Sequence, residues 1–391
     1  MLNTALSPWP SFTQKEADAV SRVLLSNKVN YWTGSECREF EKEFAAFAGT
    51  QYAVALSNGT LALDVALKAM GIGAGDDVVV TSRTFLASAS CIVTAGANPV
   101  FADVDLNSQN ISAETIKAVL TPNTKAIIVV HLAGMPAEMD GIMDLAKEHD
   151  LWVIEDCAQA HGAKYKGKSV GSIGHVGAWS FCQDKIMTTG GEGGMVTTND
   201  KELWSKMWSY KDHGKSYDAV YHREHAPGFR WLHESFGTNW RMMEMQAVIG
   251  RIQLKRMPEW TARRQAHAAK LAESLGKFAS IRLIEVADYI EHAQYKFYAF
   301  VKPEHLKEGW TRDRIVNELN ARKVPCYQGS CSEVYLEKAF DNTPWRPKER
   351  LKNAVELGNT SLMFLVHPTL TDDEIAFCKE HIEAVLAEAT A

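Results

Sequence analysis

The feature that most restricts the fold is a repeated change of period along the first 156 residues. Short β-branched or apolar runs alternate with stretches of helical spacing. Tyr52–Leu56 reads as a strand, and a helix follows from Leu61 to Met70, closed by Gly71. Val78–Val80 is the next strand, then come a helix from Phe85 to about Ala95 and a strand-like Pro99–Asp103. The fully apolar run Ala126–Val130, a helix from Glu138 to His149 and a strand Leu151–Asp156 complete the series. Apolar strands separated by helices need both sheet faces covered, which is the signature of βαβ units and a mostly parallel sheet.

Beyond Asp156 the pattern changes. Glycines punctuate residues 162–194, with short strands near Val176–Phe181 and Gly194–Thr198 and a helix from Lys201 to about Lys211. Residues 214–238 are polar, aromatic and irregular, and read as a long loop of functional length. A long helix spans Met242–Leu275, interrupted at Pro258. Two strands near Ile281–Glu285 and Tyr295–Val301 and two helices near Arg312–Asn320 and Asp372–Ala387 follow. This order predicts a large α/β domain over residues 1–255 and a smaller α+β domain over 256–391, with an N-terminal segment free to pack on the smaller one.

Charge and cysteine usage exclude several classes. A formal net charge of −6 with no basic block argues against nucleic-acid or membrane-surface binding. The 7 cysteines are odd in number, scattered and without a C-x-x-C pair, so neither a disulfide framework nor a zinc site is expected. Met1–Pro10 lacks the basic start and apolar run of a signal peptide, and no apolar stretch reaches membrane-spanning length. A cytoplasmic protein without metal is the expectation.

Four motifs carry chemistry. Gly162-x4-Gly167-Lys168-Ser169 matches a P-loop literally, but Val170-Gly171-Ser172-Ile173-Gly174 cannot begin the helix that such a loop requires, so the match is taken as chance. No G-x-G-x-x-G follows a strand, which removes the nicotinamide fingerprint. Ser57-Asn58-Gly59-Thr60 lies between a strand and a helix; it is an ordinary N-cap and also a seat for a phosphate. Asp156 closes an apolar strand at the carboxyl edge, where α/β sheets place ligands, with Gln159 and His161 close behind. Its ordinary role is a turn cap; its functional role is a buried carboxylate facing a cation such as a pyridinium nitrogen. Trp179-Ser180-Phe181-Cys182-Gln183-Asp184-Lys185 then runs into Gly190-Gly191-Glu192-Gly193-Gly194. Most lysines are solvated surface charges; a lysine held between a buried strand and a glycine turn can serve as a Schiff-base nucleophile.

Together these stretches resemble the DegT/StrS-type sugar aminotransferases, fold-type I enzymes dependent on pyridoxal 5'-phosphate. The resemblance runs from Trp32-Thr33-Gly34 to His367-Pro368 and rests most on Glu155-Asp156-Cys157-Ala158-Gln159-Ala160-His161-Gly162, on Ser180-Phe181-x3-Lys185 and on Gly237-Thr238-Asn239-Trp240-Arg241-Met242. It implies that Lys185 bonds to the cofactor and shuttles protons, and that Asp156 pairs with the pyridine nitrogen. By the same resemblance Gln159 contacts the phenolate side and Phe85 stacks on the ring. Asn58, Gly59 and Thr60 with Ser180 would hold the phosphate. Asn239 would reach the phosphate of a partner subunit, making a homodimer with shared active sites. The substrates implied are an amino donor, L-glutamate, and a keto-sugar nucleotide, in amino-sugar biosynthesis for surface polysaccharide (lipopolysaccharide or O-antigen) or secondary metabolites. Relatives with His in place of Lys185 are dehydratases, so the lysine favours transamination. The chain departs from the family at Asn58, at Thr81-Ser82-Arg83 and at Trp240, positions that bear on substrate fit. An amino-acid aminotransferase is the nearest alternative, disfavoured because no arginine follows Arg350 to take a substrate carboxylate. A non-catalytic, cofactor-binding regulator is the other. The loop at 214–238, with Lys215, Tyr217, Tyr221, His222, Arg223, His225, Arg230 and Trp231, is a candidate clamp for a nucleotide diphosphate.

Overall fold

A computed structural model describes residues 6–228 and 230–391. Residues 1–5 of the Met1–Pro10 stretch and Phe229 of the long loop lie outside the described residues. Two helices open the chain, α1 (Gln14–Leu25) and α2 (Glu36–Ala48). The sheet strands and their helices then alternate: β1 (Tyr52–Leu56), α3 (Gly59–Ala69), β2 (Asp77–Thr81), α4 (Ala87–Thr94), β3 (Asn98–Ala102), α5 (Ala113–Lys117), β4 (Thr124–Val130), α6 (Met139–Glu148) and β5 (Trp152–Asp156). A two-residue-per-strand hairpin, β6 (Lys164–Tyr165) and β7 (Lys168–Ser169), precedes β8 (Val176–Ser180), β9 (Gly194–Thr198) and α7 (Lys201–Tyr210).

These strands build a seven-stranded sheet in the order β1-β9-β8-β5-β4-β2-β3. Neighbours from β3 through β8 pair in parallel, and β9 alone runs antiparallel to β8 and β1. The fold is α/β, with the mostly parallel sheet and two-sided helix cover of fold-type I. The strand alternation sets the faces. Val54, Leu56, Ile154, Ala178 and Val196 pack with α3, α4 and α7 residues such as Leu63, Ala66 and Leu203. Ala53, Ala55, Trp179 and Met195 turn the other way, onto Phe40 and Phe44 of α2. Val153 faces Ile142 and Leu145 of α6.

The P-loop look-alike is the β6–β7 hairpin, with Lys166 and Gly167 at positive φ in its turn. That two-residue turn is what a hairpin needs and no helix follows it. The loop beyond α7 holds one short helix, α8 (Tyr217–Tyr221), within the stretch read as irregular. The single long helix expected over Met242–Leu275 is two helices, α9 (Glu244–Leu254) and α10 (Met257–Leu275). The break falls before Pro258, not at it, because a proline in a first helical turn needs no intrahelical N–H.

The remainder forms a separate antiparallel sheet of β10 (Ile281–Leu283), β12 (Phe297–Val301), β14 (Ser361–Phe364) and β13 (Cys326–Tyr327), in that spatial order. The helices α11 (Arg312–Ala321), α12 (Lys352–Thr360) and α13 (Asp372–Ala389) belong to it in sequence, and α10, α11 and α13 share its core. Strand β11 (Ile290–Glu291) instead joins β6 of the hairpin. The N-terminal segment lies across this region: Ser7 donates its backbone N–H to Glu374 at 2.6 Å, and Trp9 packs edge-on against Trp260.

Candidate active site

The carboxyl ends of β1, β2, β4, β5 and β8 open into one cavity of about 580 Å³. Its lining includes Asn58, Gly59, Thr60, Phe85, Asp156, Gln159, Ser180 and Lys185, so eight of the nine residues that the resemblance assigns to the cofactor converge there. A cleft of about 720 Å³ lies elsewhere, beside Asp105, Glu114, Glu138 and Glu285. It is larger, but its lining has no lysine, arginine, histidine or cysteine, so chemistry selects the smaller cavity.

Each side chain has a local reason for its place. Asn58 caps α3, accepting from the Leu61 N–H at 3.0 Å. The cap leaves the Gly59 and Thr60 amides at the helix start, where no intrahelical carbonyl can reach them. Gly59 abuts the Ser180 hydroxyl: a Cβ there would stand 2.5 Å from Ser180 Cβ and 2.9 Å from its Oγ. Only glycine permits that approach, which sets free amides and a hydroxyl side by side as an anion cradle.

Asp156 is buried. One of its oxygens accepts from Ser88 Oγ at 2.8 Å and the other from the Ala158 N–H at 3.1 Å. Ser88 is braced in turn by Thr84 Oγ1 at 2.8 Å. Burial pushes the Asp156 carboxyl up from its usual range, and Ser88, Ala158 and Lys185 offset that only in part. A cation in the cavity would complete the compensation. The Gln159 amide oxygen accepts from the Ala133 N–H at 2.8 Å, which leaves its NH₂ as a donor toward the cavity. Lys185 is mostly buried, with Nζ 3.8 Å from Asp184 and 5.3 Å from the centre of the Tyr295 ring. The Tyr295 hydroxyl donates to Asp184. Burial alone would raise the Asp184 carboxyl, but Lys185 and that hydroxyl outweigh it and hold it below its usual range. This donor set fits pyridoxal phosphate: an anion cradle, a buried carboxylate lacking its cation, a side-chain amide donor and a lysine amine face one space.

Phe85 also lines the cavity but is 71% exposed, so within one chain it stands at the rim. Asn239 does not line this cavity; it is exposed and pairs by backbone with Asp212. His161 is absent from the lining as well. It sits in the aromatic core against Trp179 and Phe181, and burial with nearby Lys185 and Arg264 lowers its imidazole to about 3. The clamp residues of the long loop do not enter the cavity. Lys215 pairs with Asp212 at 2.9 Å, and Arg223 pairs with Asp218 and Glu234. Tyr217 packs on Trp208, and Trp231 is 93% exposed.

Sequence reasoning missed Ser88, Thr84, Asp184, Glu192 and Tyr295. Ser88 had a signal, one helical turn beyond Phe85 and thus on its face. Tyr295 had none, since it arrives from 111 residues away. One group could be mistaken for a metal site: His131, Glu155 and Cys157 bring their ligand atoms within 4.8 Å. Its atoms are already committed. His131 Nδ1 accepts from the Ala137 N–H, which leaves Nε2 to donate to Glu155, and burial pushes the Cys157 thiol far up.

The strand-end cavity with a lysine and a buried aspartate defines a fold-type I, pyridoxal-phosphate-dependent enzyme. The chain belongs to the DegT/DnrJ/EryC1/StrS aminotransferase family, whose model matches residues 10–383. It is similar to a crystallised aminotransferase from Psychrobacter cryohalolentis, 66% identical over 98% of this chain and 99% of that one, with a TM-score of 0.96. A structure of S. venezuelae DesV in complex with a ketimine intermediate superposes with a TM-score of 0.86, at 31% identity over 95% of this chain and 94% of that one. The UDP-N-acetyl-3-dehydro-alpha-D-glucosamine 3-aminotransferase of Acidithiobacillus ferrooxidans is 43% identical over 89% of this chain and 88% of its own.

Proposed function

We propose that this enzyme transfers an amino group from L-glutamate to a keto-sugar nucleotide, in amino-sugar biosynthesis serving a surface polysaccharide or a secondary metabolite. The observation that carries the reading is the convergence of Lys185 and Asp156 on one cavity that the α3 anion cradle also lines. The sugar transaminases among its relatives support the substrate class.

In this reading the Gly59 and Thr60 amides and Ser180 Oγ hold the cofactor phosphate, with Asn58 shaping the turn. Asp156 pairs with the ring nitrogen, and Ser88 and Ala158 keep it aimed. The Gln159 NH₂ donates to the ring oxygen, and Phe85 covers a ring face once a partner subunit closes the rim. Bound there, the cofactor supplies an electron sink for charge developing at the substrate carbon. Lys185 Nζ would anchor it and would move the proton between the substrate carbon and the cofactor in each half-reaction, a general acid–base role. Asn239 serves the neighbouring active site of a cytoplasmic homodimer. The division of labour follows a cofactor-binding unit over 1–255 and a smaller unit over 256–391, supported by the separate antiparallel sheet.

The visible absorbance spectrum tests this directly. Wild type loaded with pyridoxal phosphate is expected to show a visible band that collapses on adding L-glutamate. Lys185→Ala should lose or shift the band and lose turnover by about 10⁴-fold, the upper end for a general acid–base group. A wild type with no band refutes the cofactor role. Faster amination of simple keto acids than of keto-sugar nucleotides refutes the substrate class.

A further inference from the structure

Lys185 lies outside every helix and strand, in the connection between β8 and β9, so few bonds hold its main chain. Its N–H donates to the Cys182 carbonyl at 3.1 Å. Its own carbonyl accepts from the indole N–H of Trp9 at 2.8 Å, and no other described residue donates to it. A side chain 176 residues away therefore holds the peptide unit that carries the lysine.

Trp9 is itself held, and the anchors of its segment lie within residues 260–374. Its ring stands edge-on to Trp260 with centroids 5.1 Å apart and stacks on His367 at 6.0 Å. The Arg264 guanidinium carbon lies 5.0 Å from the Trp9 ring centre, a cation–π contact. Thr369 Oγ1 spends its one hydrogen on the Pro8 carbonyl at 2.8 Å, so it accepts from His367 Nδ1, also at 2.8 Å, and fixes that ring. Burial, with Arg264 adding to it, lowers the His367 imidazole to about 3 and keeps it neutral. Ser7 gives its N–H and its hydroxyl to Glu374 at 2.6 and 3.0 Å. Residues 7–9 thus form a strap tied along the C-terminal part of the chain, with its indole tip on the Lys185 backbone.

A general acid–base group must stand within hydrogen-bond reach of the proton it moves. The Lys185 ammonium hangs on a flexible four-carbon stem, so its main chain supplies the rigid part of its placement. A misplacement of about 1 Å costs about 10²-fold in rate. Resting on the reading of Lys185 above, we propose that Trp9 is a positioning residue for Lys185, whose indole N–H holds the lysine's main chain so that Nζ reaches both the cofactor and the substrate carbon. Trp9 does not line the cavity, so the bond acts on the proton-transfer step and not on substrate binding.

Three variants test this. Trp9→Phe removes the donor and keeps an aromatic ring. Trp9→benzothienylalanine keeps the bicyclic shape, with sulfur in place of the N–H. Trp260→Phe is the control, because it loosens the packing around Trp9 and leaves the hydrogen bond in place. In cofactor-free protein, amide hydrogen exchange across Gln183–Thr188 should quicken about tenfold in both Trp9 variants and stay at the wild-type rate in Trp260→Phe. In cofactor-loaded protein the visible band should persist. Its loss at saturating L-glutamate should slow roughly tenfold to hundredfold in the Trp9 variants, with the half-saturating glutamate concentration unchanged. A lost band, unchanged exchange or an unchanged rate in the benzothienylalanine protein overturns the proposal. So does a loss shared equally by Trp260→Phe, or one confined to glutamate affinity, since packing would then account for it. A wild type without the band, or Lys185→Ala with undiminished turnover, overturns the reading of Lys185 first, and the role of Trp9 with it.

Discussion

Two carboxylates, Glu155 and Asp156, stand side by side on β5 and meet opposite fates. Glu155 turns to the α6 face and is saturated. It accepts from His131 Nε2 at 2.9 Å, from the Gly171 and Ile173 amides at 2.8 Å and from Gly174 at 2.6 Å. Burial would raise it, but these donors outweigh burial and hold its carboxyl below the usual range. Asp156 turns to the cavity and has only Ser88 and Ala158, so burial prevails and its carboxyl is raised. Both are buried, so burial alone does not distinguish a structural acid from a functional one. The number of donors already committed does.

The largest expected effect falls on the saturated member. Glu155→Ala strips His131 and three amides of their acceptor, and removing one partner from such a buried network costs about 3–5 kcal/mol. Denaturant unfolding should show that loss, or no folded protein at all; an unchanged midpoint breaks the comparison. Asp156→Asn should do the reverse, leaving the fold intact while turnover drops about 10²–10³-fold, as for loss of a preorganised electrostatic group. Steady-state kinetics beside a melting curve separates the two. Ser88→Ala is milder: one hydrogen bond to a charged group is worth about 1.5–3 kcal/mol, and it should appear in turnover and cofactor affinity more than in stability.

The smallest effect is in the pH profile of the cofactor-free protein. The depressed Glu155 contributes stability above its ordinary, unfolded value, and this is lost as pH falls through its lower folded value. The raised Asp156 opposes folding while charged, and that cost disappears as pH falls through its raised folded value. Asp156→Asn should therefore melt higher than wild type at neutral pH, and the two should converge in acid. Loading with cofactor should reverse the neutral-pH order, because Asp156 then gains a cation. Parallel melting curves at every pH would contradict the asymmetry.

Much of this was legible in the sequence, unevenly. Every strand of the seven-stranded sheet was readable, because apolar runs bounded by glycine and polar residues are local signals, whereas the two-residue strands β6 and β7 were not. Asp156 stood out because it ends such a strand and Lys185 because it follows one and precedes a glycine turn, and the family resemblance gave both their expected roles. The amphipathic helices α1 and α2, and the late elements α12, β13 and β14, went unread, since short apolar runs there lack clear boundaries. Pro258 suggested a break but not that it opens a helix. His161 stood in the strongest motif, yet the turn after Asp156 carries it into the aromatic core while Gln159 stays in the cavity wall.

By itself, the sequence determined the alternation of strands and helices from Tyr52 to Asp156 and the sheet class, which follow from spacing within a few residues, and it singled out Lys185 and Asp156 as candidates through their positions and the family resemblance. Only the tertiary structure decided that Glu155 is spent on His131 while Asp156 is held in reserve. It alone brought Ser88 to Asp156, Tyr295 to Asp184 and Arg264 to the Tyr295 carbonyl. Those pairs are 68 and 111 residues apart for the first two, and such contacts depend on how the whole chain closes.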